Sequence, residues 1–443
     1  MGWTVALLAT SVCVGATAES QDGWWDARWE YRLRLDLCMP ATVEALPVII
    51  RGDELLAASK PRTPSVSSLR VVDAGQQIPV QVDERDGTGT YQPHPYHSLD
   101  DDDELVFQVD LQADVPKRLW VYFSEQGRPL GRYATRLVWH RQSLRVGGEL
   151  THLVLRNRDL KVALKGPKTA DPMANVLGNY VNGACSQVRY RGFDYIRPPS
   201  AYTFFIPNHP FAAGPHPCSW SLPHVVCDGP VRKIAKMDLR GFERKTSDGE
   251  VDLRCDVSHW YSVWARGGAV DFEESVAVRK APPQWSLRYG FPLNVQLAED
   301  SMVRFGRTGE MAHETIDAEL AAGIAEAKSH VAVWRSDDDA EPWWAVENQR
   351  QGYGMAILAG KLCAKPAKEF ECHSIINGYH STTQGYIDLQ FDDWPGSGTV
   401  HPKIRFVAYD IDECDALKAH RQAWLKAADD WIRFGQVETC EKQ

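Results

Sequence analysis

Between Ser186 and Arg197 the chain interleaves arginine with tyrosine: Arg189, Tyr190, Arg191, Tyr195 and Arg197. A guanidinium presents a planar fork that binds a carboxylate through two hydrogen bonds. A tyrosine beside it can take or return a proton. That combination suits β-elimination on a uronate, where the proton at C5 is removed and the 4-O group departs. Neutralising the carboxylate acidifies the C5 proton and stabilises the charge that develops. The plainer use of Arg189 and Arg191 is the polar face of an edge strand. A second polar stretch runs from His373 to Tyr386, punctuated by Gly378 and Gly385. Asn377, Tyr379 and His380 are its best-placed groups if it forms a loop over a concave sheet, since loops on rigid β scaffolds commonly carry function. A hairpin turn is the plainer use. A third stretch gathers His209, His216 and His224 among prolines. Proline breaks the helix that a zinc-protease motif needs. His209 is therefore a candidate for proton transfer at a cleft rim, against a structural hydrogen-bonding role.

Sixteen tryptophans supply a possible substrate signal. Trp24, Trp25, Trp29, Trp343 and Trp344 sit in or near polar, turn-like sequence. Exposed indoles stack on the apolar faces of sugar rings, whereas packing in a core is the commoner use of any single tryptophan. The run Asp100-Asp101-Asp102-Asp103-Glu104 offers hard oxygen ligands suited to a structural calcium ion, Ca2+, although it lacks the alternation of an EF-hand. A solvated charge run at a hairpin is its default reading. No other cofactor is indicated. No serine-hydrolase elbow, phosphate-binding loop or dinucleotide fingerprint is present. A glycosidase needs two carboxylates facing each other across a cleft. Asp271, Glu273, Glu274 and Glu347 are available, and the sequence does not say which of them meet.

These groups need a scaffold, and 443 residues with 44% apolar content suffice for about two domains. The formal net charge of −10 argues against a nucleic-acid partner. Residues 1–18 read as an export signal: Trp3 to Ala16 is uncharged and mostly apolar, and Ala16-Thr17-Ala18 supplies small residues for cleavage. The run is shorter than the ~20 residues of a membrane span, and no span is expected later. Of ten cysteines, Cys13 lies in that signal. Cys218 with Cys227, and Cys363 with Cys372, have spacings that suit local disulfides, and Cys414 with Cys440 could tie down the C-terminus. Buried thiols are the alternative. The expected location is secreted or periplasmic.

Strand patterns at 31–37, 47–50, 68–73, 78–82, 104–110 and 118–123, with turn signals between them, predict a β-sandwich over residues 19–130. Trp25, Trp29, Tyr31 and Arg32 are followed by Leu69-Arg70-Val71-Val72-Asp73, by the acidic loop running into Glu104-Leu105-Val106-Phe107, and by Arg118-Leu119-Trp120-Val121-Tyr122-Phe123. This order resembles the N-terminal β-sandwich of secreted bacterial polysaccharide-processing proteins, and it implies an accessory rather than a catalytic module. Here the loop between Asp83 and Asp103 carries an insertion, Tyr91 to His97.

Residues 131–410 read as a second β domain, with strands expected at 150–155, 233–239, 251–258, 261–265, 270–278, 331–334, 354–358, 386–391 and 403–409. Gly229-Pro230-Val231-Arg232, followed by long strands ending at Val278, resembles in rhythm the galactose-mutarotase-like supersandwich of polysaccharide lyases and some glycoside hydrolases. That resemblance implies a catalytic domain. Residues 411–443 are expected to hold a helix from Asp412 to Gly435, with Leu417, Trp424, Leu425, Ala428, Trp431 and Ile432 along one stripe. A shorter helix is expected at 318–328. The expected fold is thus mainly β: an N-terminal β-sandwich, a large β-supersandwich and a C-terminal helix.

The expected function is that of a secreted lyase cleaving an acidic polysaccharide or oligosaccharide. His209, Tyr379 and His380 would move protons. Arg189, Arg191, Tyr195, Arg197, Asn377, Trp343 and Trp344 would bind substrate. A glycoside hydrolase on the same scaffold and a non-catalytic carbohydrate-binding protein remain open.

Overall fold

Strict alternation builds the first sheet. In the computed structural model, β1 (Tyr31–Leu37) turns Leu33, Leu35 and Leu37 into a core and leaves Arg32, Arg34 and Asp36 on the outer face. The structure describes residues 23–85, 91, 98–129, 131–145, 149–168, 185–196, 206–207, 219–245, 248–283, 285–293, 300–307, 310–315, 317–319, 330–334, 340–359, 370–377, 382–391, 394–425 and 430–440. β2 (Val43–Arg51) leads into a short helix, α1 (Gly52–Ser59). β3 (Arg70–Asp73), β4 (Gln76–Ile78), β5 (Val80–Asp83), β6 (Glu104–Leu111) and β7 (Lys117–Phe123) follow. β1, β7, β3 and β4 form one antiparallel sheet, and β2, β6 and β5 form the other. Leu33, Leu35, Val48, Ile50, Phe107, Leu119 and Val121 fill the space between them.

The second half begins with a five-stranded meander: β8 (Val138–Arg145), β9 (Glu149–Arg156), β10 (Leu160–Lys168), β11 (Cys185–Tyr190) and β12 (Phe193–Ile196). Three short strands come next, β13 (Ile206–Pro207), β14 (Ser219–Trp220) and β15 (His224–Asp228). Then come three long ones, β16 (Arg232–Lys245), β17 (Val251–Trp264) and β18 (Ala269–Lys280). The series continues with β19 (Trp285–Leu293), β20 (Ser301–Arg307), β21 (Glu310–Thr315), β22 (His330–Trp334) and β23 (Ala340–Asn348). It ends with β24 (Tyr353–Ala359), β25 (Phe370–Asn377), β26 (Thr382–Phe391), β27 (Gly398–Val400) and β28 (Lys403–Asp410). An 11-stranded sheet runs β14-β16-β17-β18-β28-β24-β23-β20-β21, with β15 on β16 and β27 on β18. β13, β19, β26, β25 and β22 make a separate sheet.

The two strands expected at 251–258 and 261–265 are one continuous strand, β17. His259, between the two expected strands, stays in β17 and pairs with Glu274 directly across from it on β18. One face of the large sheet packs on the meander through Val257, Tyr261, Phe272 and Phe406 against Leu155, Val162 and Tyr195. The opposite face meets the N-terminal sandwich, where Val106 joins Val231, Trp264 and Ala269. Both faces are therefore covered, which explains the near-continuous burial along β24 and β28.

The C-terminus departs from expectation. Helix α2 (Ala416–Leu425) stops well before Gly435, and β29 (Ile432–Thr439) is a strand that pairs antiparallel with β1. The edge of β1 needs partners for its backbone groups, and Ile432, Phe434 and Val437 pack on the sandwich core from there. Gly435 is no helix cap: it lies where a β-carbon would come within 2.8 Å of Arg34 Cβ. The first described strand and the last thus share a sheet, so residues 411–443 belong partly to the N-terminal sandwich. The expected Cys414–Cys440 bridge is absent, and both are free thiols. The backbone separates them: the Cys414 amide donates to Ile411 before α2, whereas Cys440 donates to Glu30 beyond the end of β29. Of the helix expected at 318–328, only residues 318 and 319 are described, and both are helical. Cys218 and Cys363 lie outside the described residues, so the expected local pairs do too.

Candidate functional site

Where the sandwich, the meander and the large sheet meet, a cavity of about 930 Å3 opens. Its walls are turns. Arg191 and Gly192 both have positive φ, 46° and 91°, and close the β11–β12 hairpin as a two-residue turn that matches strand twist. Arg158 and Asp159 come from the β9–β10 turn, and Gly267 and Gly268 from the β17–β18 turn. Gly268 is required there: a β-carbon would lie 2.2 Å from the Ala408 carbonyl oxygen. The sandwich contributes Thr42 to Ala45, the connection contributes Arg136, and α2 contributes His420. A shallower depression of about 530 Å3 adjoins it, sharing Tyr190 and Arg191 and floored by Phe193 and Tyr353, which stack at 3.7 Å.

The cavity gathers few of the residues expected to act. Arg189 is exposed and donates to the Gly192 carbonyl oxygen, 3.1 Å away in its own turn. Arg191 borders both depressions, but its guanidinium is already held by the carboxylates of Asp410 and Glu413. Tyr195 is buried and donates to the Tyr409 carbonyl oxygen at 3.3 Å. Burial pushes its phenol far above the ordinary tyrosine range, so the hydroxyl stays protonated well beyond neutral pH. Trp343 and Trp344 are corrected outright: each is 1% exposed. Successive strand residues point to opposite faces, and β23 is covered on both. Trp343 packs beneath α2 and Trp344 into the main core. Trp29 is likewise buried, with its indole N–H on the Ser68 carbonyl oxygen, and Trp24 and Trp25 pack against Tyr122. Asn377 ends β25 in a different sheet from the arginine hairpin. Arg197, His209, Tyr379 and His380 lie outside the described residues.

The sequence reading missed a buried ionic seam between the sandwich and the large sheet. Arg85 pairs with Glu104 at 2.8 Å and Glu273 at 3.0 Å, and Lys403 adds to Glu273 at 3.3 Å. Arg232 pairs with Asp83 at 2.5 Å and with Glu104. The Tyr91 hydroxyl donates to Glu273 at 3.0 Å. Burial would raise the Glu104 carboxyl, but Arg85 and Arg232 outweigh it and hold the group at about 2. A second buried pair, His259 Nε2 to Glu274 Oε1 at 2.6 Å, lies against Phe272 and Tyr261. No local sequence signal marks either set: each of Asp83, Glu104, Arg232, His259, Glu273 and Glu274 has at least one polar neighbour in the chain. Neither set lines the cavity.

The acidic run turns into β6. Among the described residues no three His, Cys, Asp or Glu side chains converge as metal ligands. Asp103 is buried and accepts from the Asp100 amide through Oδ2, while Oδ1 has no partner among the described residues. Burial, with Asp100, Glu84 and Asp102 nearby, pushes its carboxyl up to about 6. The folded protein therefore favours the protonated form, and the stability that this contributes is complete below about pH 4 and lost as pH rises through about 6. Asp103→Asn should then stabilise the protein by about 1–2 kcal/mol at pH 7, with the gain fading toward pH 4. Thermal unfolding at both pH values checks this, and an equal gain at both would contradict the ionisation argument.

No protein-family model matches the chain, and no curated protein does. Among solved structures it is similar to a glycosyl hydrolase family 38 protein from Enterococcus faecalis, at 10% identity and a TM-score of 0.48, over 93% of this chain and 48% of that one. A putative aldose 1-epimerase from Escherichia coli K12 matches at 10% identity and a TM-score of 0.34, over 59% of this chain and 99% of that one. A family 36 α-galactosidase from Geobacillus stearothermophilus matches at 10% identity and a TM-score of 0.30, over 61% of this chain and 41% of that one. The chain thus spans about half the length of the first of these. Among the described residues no helix is long and apolar enough to cross a membrane.

Proposed function

We propose that the protein is exported and acts on a carbohydrate taken into the junction cavity. The observation that supports this reading is the cavity itself. Its volume falls in the roughly 300–1,000 Å3 range of small-molecule sites, and its lining is polar at the rim. Arg136 is exposed and makes no ion pair among the described residues, and Arg158 is mostly exposed with Asp159 only 3.9 Å away. Both forks are available to a sugar carboxylate in a way that Arg191 is not.

The finer reading is β-elimination on a uronate-containing glycan. Arg136 and Arg158 would neutralise the carboxylate, and His209, Tyr379 and His380 remain the candidates for proton transfer. Hydrolysis is the second reading, favoured by the acids that also line the cavity, among them Glu44, Asp159 and Asp412. One experiment separates them. The protein is incubated with acidic and neutral oligosaccharides while unsaturated-uronate absorbance, reducing ends and binding are followed. Absorbance with new reducing ends supports the lyase, and reducing ends alone support the hydrolase. Binding without turnover leaves a carbohydrate-binding protein. No binding to any saccharide refutes the reading.

A further inference from the structure

The shallower depression beside the junction cavity differs from it in charge. Both are lined by Tyr190 and Arg191, and the Arg191 guanidinium lies on the Tyr190 ring at 5.0 Å, so the two meet at this pair. β12 supplies Phe193 and Tyr195, the β23–β24 turn supplies Gln351, β24 supplies Tyr353, and β28 ends there at Asp410. Among the described residues Arg191 and Asp410 are its only charged lining residues, and they pair with each other. The junction cavity instead carries charges of both signs, among them Glu44 and Asp412 as well as Arg136 and Arg158. The floor of the depression is aromatic. Half-buried Phe193 stacks on Tyr353 at 3.7 Å and meets the edge of Tyr195 at 4.9 Å. The Tyr353 hydroxyl donates to Gln351 Oε1, which leaves the exposed Gln351 amide nitrogen without a partner among the described residues.

We infer that this depression is a second saccharide subsite, that it takes an uncharged sugar unit, and that the substrate is a glycan chain lying across the Tyr190–Arg191 pair from the junction cavity. The inference rests on that cavity being the saccharide site. A sugar ring has a C–H face and an edge of hydroxyls. The aromatic floor suits the face, and the Gln351 amide suits a hydroxyl, which accepts as well as donates. A charged unit fits less well. A sugar carboxylate would have to displace Asp410 or Glu413 from Arg191. A sugar ammonium would share Asp410 with Arg191, whereas Glu44 and Asp412 in the junction cavity make no ion pair among the described residues. The crossing point is preformed, since two carboxylates fix Arg191 on a hairpin turn, and a chain laid over it orders little else on binding.

The test measures affinity by calorimetry on the whole protein. The ligands are saccharides of one to four units of glucose, of mannose, of galacturonate, and of glucuronate alternating with N-acetylglucosamine. In at least one series that contains uncharged units, affinity is expected to rise roughly tenfold or more from the shortest saccharide that binds to the tetrasaccharide. Two variants are compared. Gln351→Trp fills the depression from its exposed rim and keeps the backbone bond from residue 351 to Asn348 Oδ1. Phe193→Leu removes the ring from the floor and leaves the turn unchanged. Each is expected to cut the rise below about threefold. A rise short of tenfold in every series, or one that either variant keeps above threefold, would overturn the inference and leave the cavity reading standing. A tenfold rise confined to galacturonate would overturn the uncharged unit. No binding of any saccharide would overturn both readings.

Discussion

Replacing Arg232 by Met is expected to lower the free energy of unfolding by about 3–5 kcal/mol. The guanidinium is completely buried between the two halves of the chain. It donates to Asp83 at 2.5 Å and to Glu104, both from the sandwich. Gln81 brackets the same residue from the sandwich side: its Oε1 accepts from the Val231 and Arg232 amides and its Nε2 donates to the Arg232 carbonyl oxygen, all at 3.1 Å. Methionine fills the space but leaves two carboxylates short of a counter-charge in a low dielectric. Arg85 still serves Glu104, so most of the cost falls on Asp83. Adding Asp83→Leu should recover much of the loss, because removing both partners removes the uncompensated charge. Urea unfolding at neutral pH reads this as a lower midpoint at constant slope. A loss below about 1 kcal/mol would mean that water reaches the seam.

The same ions set the acid limb. Glu104 is held at about 2 and Glu273 lower still, against about 4.3 for a free chain. The folded state binds fewer protons, so the stabilisation is complete above about pH 4.5 and is lost as pH falls toward 2. Arg232→Met should flatten that descent.

The fold was legible where one side of a strand faces water. Leu33, Leu35 and Leu37 alternate with Arg32, Arg34 and Asp36, and that period cannot be read as anything but a half-buried strand. It failed where both faces are covered. Trp343 and Trp344 stand beside polar residues and suggest a turn, yet a strand between two layers buries both neighbours. The end of α2 was misread for a related reason. Trp431 and Ile432 fit a helical stripe, but Ile432, Phe434 and Val437 also suit a strand, and the decisive partner, β1, is about 400 residues away in sequence. The ionic seam was not legible as such. Asp83, Glu104, Arg232 and Glu273 are ordinary charges on paper, and only the docking of two sheets makes them a unit. The candidate site suffers most, because its cavity is built from turns contributed by every layer. Arg191 could be singled out by type, but not its capture by Asp410 and Glu413.

Asp271→Leu is expected to cost about 3–5 kcal/mol, for the same reason as the loss of Arg232 but at a place that bears on the cavity. Asp271 and Arg405 face each other directly on β18 and β28 and are both 1% exposed. Arg405 grips the carboxylate with Nε at 2.6 Å and a second nitrogen at 2.9 Å, and the Trp264 indole N–H adds a third bond at 2.9 Å. Above this, the guanidinium stacks on Trp424 of α2 at 4.3 Å, and Trp424 donates to the Leu358 carbonyl oxygen. Without Asp271 the charge of Arg405 is buried unpaired, and the helix loses its anchor. Amide hydrogen exchange along α2 should therefore accelerate more than exchange in β1 or β7. Asp271→Asn keeps an acceptor for Trp264 and should cost less. The helix so loosened forms part of the cavity wall through Ala416, Leu417 and His420. Asp271→Leu should weaken saccharide binding together with stability. If Asp271→Leu binds as tightly as the unaltered protein while α2 exchanges freely, the helix does not position the cavity wall.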